Sequence, residues 1–250
     1  MKKLFLLLMV ALTGTGLLQA QTTRTIFITG GDFSTPFIKY VISLTKKDHP
    51  KICFIPTASA DNPYGINAFY SQCAGLPMTP FILRTFLNSS PEQKTFDETL
   101  MDMDAIIVGG GSTLNMLAIW KAQGIDTILR KAYNKGIILG GGSAGSLCWF
   151  TGGFTDSRPK KLSLVECLGF IANSHCPHYH SEPTRKPLYQ EAILTGKLQR
   201  GYACDDRAGI LFEDEKYIRS VASDKESHTY FLSVANGAIK EELLVGEIIR

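Results

Sequence analysis

The sequence predicts an α/β protein built on a mostly parallel sheet that is covered on both faces by helices. Two observations carry this prediction: nearly continuous apolar runs alternate with segments of helical spacing, and glycine clusters follow three of those runs. Continuous apolar strands are typical of a parallel sheet with both faces buried. The glycine clusters occupy 30–31, 109–111 and 140–142. Because ligands bind outside the carboxyl ends of such strands, we expect the clusters to border one shared site.

Each strand and helix of the first 150 residues follows from its local pattern. Strands are predicted where short apolar runs are bounded by glycine, proline or polar residues, at 25–29, 52–56, 80–86, 104–108 and 136–139. Helices are predicted where apolar residues recur at helical spacing, at 35–46, 64–74, 113–122 and 126–134. A short helix is expected after Ser90, with Pro91 at its first position, and another is expected to begin at Ser146.

The pattern after residue 150 is that of short strands. Antiparallel strands are predicted at 208–212, 216–221, 230–234 and 239–244, and Asn236-Gly237 between the last two is a strong hairpin signal. No internal repeat, low-complexity tract or long linker divides the chain. We therefore expect a single domain over 21–250 with a β-rich C-terminal third.

The first twenty residues have the pattern of an export signal. Lys2 and Lys3 precede the apolar stretch 4–18, and Ala20 supplies a small residue at the cleavage position. The apolar stretch is short for a membrane span. We expect cleavage after Ala20, which would leave a periplasmic or secreted protein of residues 21–250 with no membrane anchor.

Charge and cysteine content limit the classes of partner and of metal site that the sequence allows. The net charge is +3 at pH 7, and loss of Lys2 and Lys3 would reduce it to +1. A nearly neutral chain lacks the electrostatic footprint of a nucleic-acid-binding protein, so no such partner is expected. The six cysteines include no pair with metal-site spacing, and the sequence leaves their disulfide pairing open.

A serine lies at a glycine-flanked turn between a predicted strand and a predicted helix, in the segment GGSAG at 141–145. This is the arrangement of a nucleophile elbow, in which a sharp turn exposes the hydroxyl, here that of Ser143. The N–H groups at the start of the next helix would face a developing anion. We therefore expect a serine hydrolase whose oxyanion donors are Ala144 N–H and a glycine N–H of Gly110 or Gly111.

Histidine is the usual base for such a serine, and His175, His178 and His180 lie close together in the sequence. Their position soon after Ser143, with a long segment following, is unlike standard lipases and esterases. The same three histidines, with a nearby cysteine or glutamate as fourth ligand, would also suit a metal. Catalysis is favoured over metal binding because the serine turn already requires a histidine.

Three aspartates are candidates for the group that orients the histidine. Asp156 would give the chain order serine, aspartate, histidine, whereas Asp205 or Asp206 would give serine, histidine, aspartate. Adjacent acids after the apolar-leaning segment 201–204 are unusual for an ordinary turn. Both orders remain open from the residues alone.

Three segments together resemble peptidase family S51, which includes dipeptidase E and cyanophycinase. They are DAIIVGGGSTLNML at 104–117, GGSAG at 141–145 and HCPHY at 175–179, and the resemblance continues in order from about Thr25 to the C-terminus. It implies a flavodoxin-like fold related to class I glutamine amidotransferases, with no cofactor and no metal. It also implies a small peptide substrate and a monomer or homodimer.

The resemblance assigns Ser143 as nucleophile and His178 as base. Asp156 occupies the position of the acid in the dipeptidase E branch, and Asp205 or Asp206 occupies its position in the cyanophycinase branch.

Two positions differ from the family pattern. The family usually has asparagine where this chain has Ser112, which is expected to alter a contact with substrate or with a loop. Arg185 could bind a substrate carboxylate, but it lies closer to the histidine than the family's aspartyl-recognising arginine does.

The sequence therefore predicts an exported serine peptidase that cleaves small peptides by a Ser-His-Asp mechanism, with a dipeptidase E-like preference for N-terminal aspartate as one specificity. The oxyanion donors expected are Gly111 and Ala144. Two alternatives are a cyanophycinase-like hydrolase of aspartyl-linked peptides and a non-catalytic binding protein on the same fold.

We expect the exported protein to begin at Gln21, because the leader would be cleaved after Ala20. N-terminal sequencing of protein recovered outside the cytoplasm checks this. Recovery of a chain that still begins at Met1 would contradict it.

Overall fold

Two sheets and seven α-helices make up residues 22–250, the part of the chain that this computed structural model describes. The predicted leader, 1–20, lies outside the described residues. The strands are β1 (Thr25–Thr29), β2 (Lys51–Ile55), β3 (Thr79–Ile82), β4 (Ala105–Val108), β5 (Ile138–Gly142), β6 (Phe150–Thr155), β7 (Ser163–Glu166), β8 (Ile171–Cys176), β9 (Gly201–Cys204), β10 (Ala208–Glu213), β11 (Lys216–Ala222), β12 (Thr229–Ala235), β13 (Ala238–Leu244) and β14 (Gly246–Ile248). The helices are α1 (Thr35–Thr45), α2 (Pro63–Cys73), α3 (Phe96–Leu100), α4 (Thr113–Gln123), α5 (Ile125–Lys135), α6 (Ala144–Leu147) and α7 (Arg185–Leu194), and a 3-10 turn spans Thr57–Ser59.

The larger sheet has eight strands in the order β14-β11-β10-β1-β5-β4-β2-β3. The strands from β1 to β3 in this order are all parallel, and β10 adds to β1 in the antiparallel direction. Ile26 and Ile28 of β1 join one buried cluster, whereas Phe27 between them joins a second cluster on the other face. Both faces are therefore covered, which confirms the predicted mixed α/β architecture with its mostly parallel strands.

The smaller sheet has six strands in the order β13-β12-β9-β8-β6-β7. Its centre is parallel, because β8 pairs in parallel with both β6 and β9. The predicted hairpin is confirmed: Ala235 pairs with Ala238 across Asn236-Gly237, both of which have positive φ.

Two helix predictions are wrong. Ser90 and Pro91 belong to a turn, and the helix begins five residues later because Thr95 and Glu98 form a capping box there. The helix expected to begin at Ser146 is instead the single turn α6, which starts at Ala144, and the buried Phe150 already starts β6.

Strands β6 to β9 were not predicted, although they form the centre of the second sheet. β6 contains Gly152 and Gly153, and β8 contains Asn173, Ser174 and His175. Neither strand has the continuous apolar pattern of β1 or β4, so their burial comes from tertiary packing and not from composition.

All six cysteines are unpaired thiols. Burial raises the pKa of Cys53 and of Cys176 to about 12, so both stay protonated near neutrality. Over the described residues, 22–250, the helices are all too short or too polar to cross a bilayer.

Candidate active site

Ser143 lies at the carboxyl end of β5, the strand between β1 and β4. Its φ is 55° and its ψ is −117°, a backbone conformation that a residue with a side chain seldom adopts. The strain is typical of a nucleophile elbow, because it turns the chain sharply from strand to helix and presents the hydroxyl. Helix α6 begins at the next residue, so its free N–H groups face the same edge of the sheet.

The glycine clusters that follow β1 and β4, and the one that forms the last part of β5, border one edge of the sheet, as expected from the sequence. The register pairs Thr29 with Gly142 and Val108 with Gly141, so the three strands end together. A methyl group on Gly31 would lie 2.9 Å from the Asp206 carbonyl oxygen, and one on Gly142 would lie 2.0 Å from the Gly31 carbonyl oxygen. Only glycine permits these approaches, which bring the loop after β9 against the elbow.

His178 comes from the second sheet, two residues after β8 ends. Its Nε2 lies 2.8 Å from Ser143 Oγ. Like Ser143, it has a positive φ, 55°, immediately after Pro177. The tight turn aims the imidazole across the junction between the two sheets.

Asp206 completes a chain of three side chains. It follows β9, the parallel neighbour of β8, and its Oδ1 lies 2.6 Å from His178 Nδ1 and 2.8 Å from Ser181 Oγ. Because a carboxylate oxygen only accepts, the neutral imidazole carries its proton on Nδ1. His178 Nε2 is therefore free to accept the Ser143 hydroxyl proton.

Asp156 and Asp205 occupy other positions. Asp156 is exposed just beyond β6 and does not contact His178, whose Nδ1 is already bound by Asp206. The expectation that Asp156 orients the histidine is therefore corrected. The buried Asp205 accepts from His180 Nδ1 at 2.8 Å and from His228 N–H at 2.9 Å, so its carboxylate holds two loops together.

The loop after β4 supplies backbone donors beside Ser143. A methyl group on Gly110 would lie 3.2 Å from Ser143 Cβ, so this glycine touches the elbow. Gly111, with φ 132°, packs against the Ala58 carbonyl oxygen. The N–H groups of Gly109 and Ser112 bond to carbonyl oxygens, and the hydrogen bonds within 22–250 leave those of Gly110 and Gly111 free.

Ser112 and Arg185, the two residues predicted to contact substrate, instead form hydrogen bonds with neighbouring groups of the protein. Ser112 caps α4, its side chain accepting from Asn115 N–H at 3.3 Å. Arg185 is buried, and its guanidinium donates to both Glu182 carboxylate oxygens and to the Phe154 carbonyl oxygen. Burial and pairing leave Arg185 unable to bind a substrate carboxylate, which corrects that expectation.

The three clustered histidines do not converge on one point. His175 is fully buried and stacks on Phe150. Its Nδ1 donates to the Tyr202 carbonyl oxygen at 3.1 Å, and its Nε2 is hydrogen-bonded to Ser146 Oγ at 3.0 Å. Burial lowers its pKa to about 3. Within residues 22–250, no three side chains of the metal-binding types form a group able to hold an ion.

Sequence reasoning missed two residues that the fold brings to the elbow. Ser146 Oγ lies 2.7 Å from the Ser143 carbonyl oxygen and links it to His175. Asp32 follows the glycine pair after β1, and its Oδ1 would lie 3.5 Å from a methyl group on Gly110. The signal for Asp32 was available, because it immediately follows a glycine cluster at a strand end.

Comparisons with known proteins find a matching family and a shared fold. The pattern of peptidase family S51 matches residues 23–220. An uncharacterized peptidase, YgaJ, of Bacillus subtilis (strain 168) is 39% identical over 203 residues, which cover 81% of this chain and 86% of that protein.

Two solved structures share the fold. A protein described as peptidase E from Listeria monocytogenes EGD-e has a TM-score of 0.62 at 19% identity, covering 81% of this chain and 100% of the other. A peptidase from an acI-B1 Actinobacterium has a TM-score of 0.70 at 16% identity, covering 92% and 98%. These similarities confirm the predicted flavodoxin-like fold.

We expect acid to destabilise the protein partly through His175. Its pKa is about 3 when folded and ordinarily near 6.5, so between these values only the unfolded chain binds the proton. The contribution of the neutral, buried imidazole to the free energy of unfolding is fully present above pH 6.5 and is lost as the pH falls towards 3. Between pH 7 and pH 5 the loss would be about 2 kcal/mol of unfolding free energy.

The variant His175→Asn, which keeps a donor for the Tyr202 carbonyl, should show a smaller loss over this interval than wild type. Denaturant unfolding at both pH values measures it, with the exposed His49→Asn as control. An equal acid-side loss in wild type and His175→Asn would exclude this role.

Proposed function

Because the chain belongs to peptidase family S51 and is therefore a serine peptidase, we propose that it hydrolyses small peptides with Ser143 as nucleophile, His178 as base and Asp206 as the orienting acid. The single observation that carries the proposal is the continuous contact from Ser143 Oγ through the imidazole to Asp206 Oδ1, at 2.8 and 2.6 Å. Hydroxyl, imidazole and carboxylate in this order are the parts of a serine hydrolase triad.

In the first half of the reaction, the Ser143 oxygen attacks the scissile carbonyl carbon while His178 Nε2 takes the hydroxyl proton. The tetrahedral intermediate then collapses, the C–N bond breaks, and His178 returns the proton to the leaving amine. Water attacks the acyl-enzyme with His178 again as base, which releases the acid product and restores Ser143. Asp206 stabilises the imidazolium that forms in each half.

Oxyanion stabilisation is assigned to backbone donors. Ala144 N–H, at the first position of α6, has no acceptor within its helix. Gly111 N–H, or that of its neighbour Gly110, is the second donor, because this loop contacts Ser143 and both N–H groups are free. Such donors lower the barrier most when they are fixed before the reaction begins, as they are in a glycine loop packed on its neighbours.

The non-catalytic alternative loses support in this geometry, whereas Asp206 is at the position that the resemblance gives for the acid in the cyanophycinase branch. A binding protein without turnover has no need of a serine hydroxyl 2.8 Å from an imidazole whose other nitrogen meets a carboxylate. Arg185, a candidate contact for an aspartyl carboxylate, is occupied by Glu182, so it lends no support to specificity for N-terminal aspartate. We propose small peptides as the substrate class and, with the leader removed, a site of action outside the cytoplasm.

A fluorophosphonate probe should label wild-type protein at one site, because an activated serine displaces the probe's fluoride and becomes phosphonylated. The variant Ser143→Ala should not be labelled and should lose peptide hydrolysis, whereas Ser71→Ala, which removes an exposed serine of α2, should behave as wild type. Intact-protein mass spectrometry reads out the label. An unlabelled wild type, or full labelling of Ser143→Ala, would refute the mechanism.

Asp206→Asn should lower kcat by roughly 10²- to 10⁴-fold, because the imidazole loses the acceptor that holds its tautomer. Asp156→Asn should leave kcat unchanged, since Asp156 is exposed and the Nδ1 of His178 is bound by Asp206. Steady-state hydrolysis of one peptide by both variants measures the difference. The opposite ranking would show that the acid is Asp156.

A further inference from the structure

A small cavity opens beside the elbow at the carboxyl ends of β4 and β5. Its volume is about 190 Å³, and Gly109, Gly110 and Gly142 form the wall nearest Ser143. Pockets for whole drug-sized ligands are larger, about 300–1,000 Å³. The cavity therefore fits one side chain of a substrate and not an extended peptide.

Three aromatic rings supply much of the cavity's apolar wall. Phe33, Phe54 and Phe69 line it, and the last two stack with ring centroids 4.9 Å apart. No lysine or arginine is among the described residues that line it. A hydrophobic side chain would gain free energy against the aromatic rings. A carboxylate would lose hydration and find only the neutral polar side chains of Ser59, Asn62 and Gln72, without a cation to pair with.

Asp32 places a carboxylate at the edge of this cavity. The residue is exposed, and within residues 22–250 its side chain has no hydrogen-bond or salt-bridge partner. A methyl group built on Gly110 would lie 3.5 Å from Asp32 Oδ1 and 3.6 Å from Ser143 Oγ. The carboxylate and the nucleophile therefore lie on the same side of Gly110, close enough for one substrate residue to reach both.

A free N-terminal residue of a peptide matches this spacing. Its α-ammonium nitrogen is two bonds from its own carbonyl carbon, the atom that Ser143 would attack from about 3–3.5 Å. A charge-assisted hydrogen bond from the ammonium to Asp32 would span about 2.7–2.9 Å. The side chain of the same residue would enter the cavity.

We propose that Asp32 binds the substrate's α-ammonium group, so that the enzyme releases the first residue of short peptides and prefers an apolar one. This inference rests on the proposed peptidase function and adds its substrate class. A longer substrate, with residues N-terminal to the scissile residue, would have no ammonium group at the position that Asp32 contacts. The negative charge of Asp32 also disfavours an N-terminal aspartyl side chain, because like charges would lie close together.

The test compares Leu-Ala-Ala with its N-acetylated form and with Asp-Ala-Ala. Wild type should cleave Leu-Ala-Ala after its first residue, with a kcat/KM about 10- to 100-fold above that for each of the other peptides. Asp32→Asn should lose about the same factor on Leu-Ala-Ala, mainly through KM, and should change little on the acetylated peptide. Asp48→Asn, which neutralises an exposed aspartate in the turn before β2, should match wild type.

Fluorophosphonate labelling separates the two proposals. Asp32→Asn should be labelled at the wild-type rate, because the probe carries no ammonium group. If wild type is labelled but cleaves free and acetylated peptides equally well, the role of Asp32 is refuted and the peptidase mechanism stands. If wild type is neither labelled nor active on any peptide, both proposals fail together.

Discussion

The candidate site depends on one tight backbone contact between the two sheets. The Gly30-Gly31 turn after β1 packs against the chain around Asp206, with Gly31 N–H donating to the Asp206 carbonyl oxygen at 3.0 Å. A single methyl group at Gly31 or Gly142 would overlap backbone atoms there. Because side chains cannot separate these segments, the carboxylate after β9 lies close enough to the elbow for one imidazole to bridge them.

Buried polar contacts hold the elbow from behind. Ser146 bonds to the Ser143 carbonyl oxygen and meets His175, which in turn donates to Tyr202 of β9. This path joins the strained turn of the first sheet to two strands of the second. A conformation with φ 55° at a serine persists only when its surroundings hold it in place, and these bonds supply that restraint. Function and packing are thus coupled at the same junction.

Much of the first sheet could be predicted because the sequence of each strand is a short, nearly continuous apolar run. The runs that became β1, β2, β4 and β5 are apolar and end at glycine or proline, so burial on both faces follows from residue type alone. The second sheet could not be predicted in this way. β8 places Asn173, Ser174 and His175 in a strand because neighbouring strands and α7 satisfy their hydrogen bonds, as Ser174 does with Tyr189.

The sequence by itself predicted the serine elbow, the histidine that we propose as base, and the family, because each prediction depends on residues that are close together in the chain. Only the tertiary structure could single out Asp206 as the acid that we propose, and only it could show that Arg185 is buried against Glu182. Asp206 lies 28 residues from His178 in sequence, and the two meet because β8 and β9 are parallel neighbours whose ends coincide. The local sequence pattern does not show which of several aspartates the pairing of these strands brings next to the histidine.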